Sequence, residues 1–185
     1  MTTTLILLAI LVLILVLMYN SLVNKKNQVE NIFASVDTQL KKRHDLIPNL
    51  IASVKQYMAH EKSLLESVTS LRTKSIKHNL DEREVISLDD KMSSALGSLM
   101  IAVEAYPELK ANENIMQLQS SLNEVEEQIQ ASRRAYNQAV TDYNNALEMI
   151  PTNFIAKAMS YEKKSLFKIK ESQKENINVK ELFDN

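Results

Sequence analysis

The sequence predicts an all-α protein: an N-terminal transmembrane helix that continues into an antiparallel four-helix bundle with long helices. Three observations carry this reading. The 185 residues include one Gly and three Pro, too few for hairpin turns, phosphate-cradling loops or sandwich loops. Apolar residues recur at gaps of three and four along most of the chain. Leu5 to Met18 is an unbroken run of fourteen apolar residues. The length fits one domain with an anchor or a tail.

The anchor comes first, over 1–24. Lys25 is the first charged side chain, and the uncharged stretch before it is about twenty residues or roughly 30 Å of helix, enough for a bilayer core. A cleaved signal peptide needs a basic start and a small-residue cleavage site; neither is present, so an uncleaved anchor is expected. Tyr19 falls where an interfacial aromatic belongs. Lys25 and Lys26 follow the span while no Lys or Arg precedes it, which predicts a cytoplasmic body and an N-terminus outside.

The bundle is expected over 25–150. No Gly or Pro occurs before Pro48, and Val29, Phe33, Val36 and Leu40 form one stripe. Proline disfavours the helical region for Ile47 yet suits the first turn of a new helix, so a hairpin is expected between helices at 5–46 and 48–78. Val54, Met58, Leu65 and Val68 mark the inner face of the second. Asp81 with Glu84 resembles a capping box that opens a third helix over 82–105, with Leu88, Met92, Leu96, Leu99 and Val103 inward. A fourth helix over 111–150 carries a stripe from Ile115 to Ile150 that includes Ser132, Tyr136 and Tyr143, with a stutter near Tyr136. After Pro151, Phe154, Ile155, Tyr161 and Phe167 interleave with Lys163 and Lys164. That pattern reads as a basic amphipathic helix over 151–170, laid on lipid or on a neighbouring subunit. Residues 171–185 are polar and expected to be disordered.

Chemistry is sparsely encoded. With 22 basic and 23 acidic residues, the net charge of −1 gives no case for nucleic acid. Residues 24–78 carry ten basic and five acidic groups while 79–150 are acidic, which favours one pairing of helices over its reverse. Zero Cys excludes disulfides, thiolate metal sites and cysteine nucleophiles. His44-Asp45 and His60-Glu61 are adjacent pairs whose members point about 100° apart on a helix, so neither chelates one ion. No serine sits in a strand–elbow–helix setting. No enzyme activity, metal or cofactor is therefore expected. Asn137 and Asn144 repeat at seven residues beside Tyr136 and Tyr143, a spacing that specifies helix register or binds a ligand. Glu61, on an apolar stripe, must find a partner. Asp37, Arg43, Glu61, Arg133, Asn137 and Asn144 are the expected members of a structural polar layer.

Several blocks in order resemble the LemA family: Asp37-Thr38-Gln39-Leu40-Lys41-Lys42-Arg43-His44-Asp45-Leu46-Ile47-Pro48-Asn49-Leu50, Val54-Lys55 with Tyr57 and His60-Glu61, Tyr106-Pro107-Glu108-Leu109-Lys110-Ala111-Asn112-Glu113-Asn114, and Ala131-Ser132-Arg133-Arg134-Ala135-Tyr136-Asn137. The resemblance covers about residues 19–160. It implies a single-pass protein of the bacterial cytoplasmic membrane with a helical-bundle body, and it brings no catalytic residue or cofactor. The family's magnetosome-associated members imply a role in membrane remodelling or assembly. The expected function is a membrane-tethered scaffold that self-assembles, with the lipid bilayer, further copies of itself and unidentified proteins as partners. A membrane-anchored sensor or adaptor, binding through the bundle, is the alternative.

Overall fold

The computed structural model describes residues 1–77 and 79–167, and among these the chain is helical, with no strand. Helix α1 runs from Thr2 to Val54 without interruption. Its first part is long and apolar enough to cross a membrane, and Leu5 to Leu17 lie exposed on every face. From Leu22 onward α1 buries a stripe of Val29, Val36, Leu40, Ile47, Leu50 and Val54.

The expected hairpin at Pro48 does not form; the helix passes through the proline for six more residues. Proline costs a helix one backbone hydrogen bond, that of the carbonyl four residues before it. Here that carbonyl belongs to His44, and the Nε of Arg72 donates to it at 2.8 Å. A side chain from elsewhere in the chain replaces the missing amide. The turn comes instead after Val54, whose carbonyl accepts from the amides of Tyr57 and Met58. A short 3-10 turn, Ala59–Glu61, leads into α2, Lys62–Ser75.

Helix α3 spans Glu82–Glu104 and opens on the capping box read from the sequence. The Glu84 amide donates to Asp81 Oδ1 at 2.7 Å, and the Asp81 amide donates to Glu84 Oε2 at 3.0 Å. The one-turn helix α4, Pro107–Lys110, has proline in its first turn. Helix α5, Glu113–Glu148, starts at Asn112, whose side chain accepts from the amides of Asn114 and Ile115. Helix α6 is only Thr152–Ala158, and residues 161–167 are not helical. The expected tail helix over 151–170 is thus cut to seven residues; 168–170 and the stretch 171–185 lie outside the described residues.

Along α1 and α5 the pairing is regular. Arg43 meets Glu126, Lys42 meets Gln128 and Phe33 packs on Tyr136, so each step up α1 matches one step down α5. Helix α2 packs chiefly on α3, and α6 lies against both α1 and α5. The apolar interior has two parts. One gathers Leu22, Val29, Val36 and Leu40 with Ile129, Tyr136, Val140 and Tyr143. The other gathers Ile47, Leu50 and Val54 with Met92, Leu99, Val103 and Ile115. On α1, Arg43 and His44 sit between Leu40 and Ile47, where one part gives way to the other.

Candidate functional site

Three helices bring buried charge to that boundary. Arg43 on α1 and Asp89 on α3 are 1% and 2% exposed, and Arg133 on α5 is 9% exposed. Arg43 Nη2 donates to Asp89 Oδ1 at 2.5 Å. Arg133 donates to Asp89 Oδ2 through Nε at 2.8 Å and also through Nη2. The same Nη2 reaches Asp90 at 3.2 Å, while Arg43 Nη1 donates to Ser93 Oγ at 2.9 Å and Glu126 at 3.2 Å. One carboxylate thus holds two guanidiniums, and acids at the edge balance the rest. Buried ions are tolerated only where such partnering is dense.

The spacing on each helix explains the convergence. Arg43 follows Leu40 by three and precedes Ile47 by four; Arg133 follows Ile129 by four and precedes Tyr136 by three. Both lie on their helix's inner stripe. Asp89 does as well, in the series Val85, Asp89, Met92, Leu96. Sequence reasoning passed over it because Leu88 fits the same periodicity, yet Leu88 is only half-buried. The stripe expected through Ser132 runs instead through Arg133, with Ser132 only half-buried; an arginine on an inner stripe is the signal that a buried acid must exist.

Other expected members of the polar layer stand elsewhere. Asp37 is exposed on α1, next to buried Val36. Glu61 ends the 3-10 turn, partly exposed, with no ion pair or side-chain hydrogen bond among the described residues. The stripe that was to bury Glu61 assumed helix through Met58, and the chain turns there instead.

Asn137 and Asn144 hold the chain's own tail. Asn137 Nδ2 donates to the Phe167 carbonyl and its Oδ1 accepts the Phe167 amide, both at 2.9 Å. Asn144 makes the same pair with Lys164, both bonds at 3.0 Å. Seven residues of helix rise roughly 10.5 Å, and three residues of extended chain span roughly 10 Å, so the two ladders match. Residues 161–167 form a strap over α5. Its Phe167 ring packs edge-on against Tyr136 and under the Arg133 guanidinium, 5.0 Å from ring centre to carbon. Lys164 pairs with Glu82 at 2.6 Å, and Glu82 also accepts from the Tyr136 hydroxyl at 3.3 Å. Burial and the Glu82 charge push the Tyr136 hydroxyl pKa well up. Tyr161 lies by Tyr143 with Lys26 over its ring, and Lys163 pairs with Glu148. Phe154 is exposed, Ile155 is half-buried in the first core, and Tyr19 and Lys25 lie where α1 enters the body.

Beside the ion network opens a cleft of about 730 Å³ lined by Asp37, Lys41, His44, Asp45, Arg72 and Lys77 among others. His44 is 7% exposed, and its buried Nδ1 has no hydrogen-bond partner among the described residues. Burial, with the Arg43 charge beside it, pulls the His44 pKa down to about 4. The imidazole is therefore neutral near pH 7, in the wall of a cleft that carries both signs of charge.

Comparison with known proteins agrees with the resemblance in the motifs. Protein LemA of Metamycoplasma hominis is 24% identical over 163 residues, covering 88% of this chain and 74% of that protein. Magnetosome protein MamQ 2 of Paramagnetospirillum magneticum is 22% identical over 194 aligned residues, covering 91% of this chain and 71% of that protein. The LemA family profile matches residues 32–180, most of the body described above, and the chain belongs to the LemA family.

Proposed function

We propose that this chain is a membrane-tethered helical scaffold that self-assembles at the membrane and takes part in organising or remodelling it. One observation carries the reading: α1 is a single helix of 53 residues, roughly 80 Å long, that leaves the apolar span and enters the body without a hinge. Its orientation relative to the span is fixed by backbone hydrogen bonds. Fixed orientation lets neighbouring bodies meet side by side in the membrane plane, where tethering raises their effective concentration. The long helices form an antiparallel four-helix bundle in this reading, with the body cytoplasmic, the N-terminus outside and no catalytic role. The relatives named for magnetosomes, which are membrane-associated in that reading, support a part in membrane organisation.

The cleft at His44 favours a second reading, a sensor or adaptor that binds a small polar molecule against Lys41, His44 and Arg72. Gentle detergent extraction separates the two. A scaffold runs as large, discrete oligomers, and a sensor runs as a monomer whose melting temperature rises with ligand. Because the chain has no Cys, a single Ser67→Cys variant reports topology by labelling in intact cells. Labelling from the periplasmic side overturns the cytoplasmic orientation.

A further inference from the structure

The corner between α5 and α6 exposes large apolar side chains: Met149 at 63%, Ile150 at 77% and Phe154 at 65%. The apolar periodicity of α5 had Ile150 facing inward. Instead α5 ends at Glu148, and the chain turns so that these three side chains face outward on the body. Elsewhere on the body, large apolar side chains are exposed mostly one at a time, as at Ile101, which is ordinary. A cluster is not, and it needs a partner.

The register of α1 against α5 says what lies beside the corner. Arg43 meets Glu126 and Phe33 packs on Tyr136. Both helices rise equally per residue, so the same pairing brings Leu22 level with about Leu147 and Tyr19 level with about Ile150. Burial agrees: Leu22 is the first fully covered residue of α1, and it shares a core with Ala146 and Ala156. Tyr19 ends the apolar span. The exposed corner therefore stands at the height where the span leaves the bilayer.

We propose that Met149, Ile150 and Phe154 insert into the interface of the membrane that holds α1, as a second, shallow contact beside the anchor. Lipid is the occupant because the patch continues the apolar surface of the span at one level. Lys157, exposed and three residues beyond Phe154 on the same helical face, meets anionic headgroups while the apolar side chains reach about 5–10 Å inward. Insertion beside the span widens one leaflet only, which couples the body to curvature. The proposal rests on the reading of α1 as an anchor.

The chain has no Trp, so one introduced Trp is an unambiguous reporter. Full-length Phe154→Trp, Leu11→Trp and Ile101→Trp variants are reconstituted in vesicles of phosphatidylcholine and phosphatidylglycerol, with and without brominated acyl chains. Ile150→Trp serves as a second corner position. Bromine quenches by contact, so the Leu11→Trp and corner variants should lose about half their emission or more, while Ile101→Trp keeps its emission. Quenching of Leu11→Trp alone overturns the proposal and leaves the anchor standing. A blue-shifted but unquenched Phe154→Trp means that a second copy or another protein covers the corner, and this also overturns it. An unquenched Leu11→Trp removes the anchor and the proposal together.

Discussion

Arg72 donates its Nε hydrogen to the His44 carbonyl at 2.8 Å, and that carbonyl is open because Pro48, four residues on, has no amide to give it. The contact ties α2 to α1 at the place where Pro48 leaves α1 without its own hydrogen bond. It also sets the wall of the cleft, since Arg72 and His44 both line it.

Arg72 and Pro48 should therefore be energetically coupled. Arg72→Met leaves a part-buried carbonyl unsatisfied and should cost about 1–3 kcal/mol. In a Pro48→Ala background the new amide takes that carbonyl, so the same substitution should cost about 1 kcal/mol less. A double-mutant cycle by urea denaturation in detergent measures the difference. Additive effects would mean that the two residues do not share the carbonyl.

Asp89 is the centre of the ion network, so its removal should hurt more than the removal of the whole network. Asp89→Ala leaves Arg43 and Arg133 buried without their shared counter-ion and should destabilise by about 3–5 kcal/mol. The triple variant Arg43→Met, Asp89→Leu, Arg133→Met should recover most of that loss, because apolar side chains of similar size need no partners. If the triple variant proves less stable than Asp89→Ala, the network contributes more than it costs to desolvate.

Much of the architecture is legible in the sequence, and its limits have physical causes. The uncharged run to Val23, the Asp81–Glu84 cap and the inner residues from Met92 to Val103 follow from local pattern alone. Pro48 misleads because its local preference is to end a helix, and only a distant arginine offsets that preference. Glu61 misleads for a related reason: one turn of chain at Tyr57 and Met58 removes it from the stripe. Asp89 is concealed by its apolar neighbour Leu88. Asn137 and Asn144 are visible as a seven-residue repeat, but their partners are backbone groups of Lys164 and Phe167, which no side-chain pattern marks.

His44 predicts an acid-sensitive stability. Its folded pKa is depressed to about 4 from an ordinary 6.5, so between those values the unfolded chain binds the proton more readily. Stability from this group is fully present above pH 6.5 and falls as the pH drops through that window. Melting should move down from pH 7 to pH 5 in the native chain. In His44→Gln, which cannot titrate, the part of the shift due to this group should vanish. An NMR titration placing the His44 pKa at 6 or above would remove the effect.

The strap should be held by its two asparagine ladders and not by packing alone. Asn137→Asp and Asn144→Asp keep the size of the side chain and the acceptor for each strap amide. They lose the N–H that reaches each strap carbonyl, and they set a negative charge against it. Each should cost about 1–3 kcal/mol of local stability, the penalty for leaving a part-buried carbonyl without its hydrogen bond. The amides of Lys164 and Phe167 should then exchange with solvent about ten-fold faster or more, since 1.4 kcal/mol is a factor of ten in an opening equilibrium. Asn145→Asp, one residue away and exposed, is the control and should leave exchange unchanged. Phe167→Ala tests the other half of the contact, because it removes the ring between Arg133 and Tyr136 while leaving both ladders in place. If Phe167→Ala frees the strap and the Asp variants do not, the aromatic ring is the latch. If the Asp variants free it, Asn137 and Asn144 hold the strap by its backbone, and an extended segment with an apolar side chain at the Phe167 position meets the same two ladders.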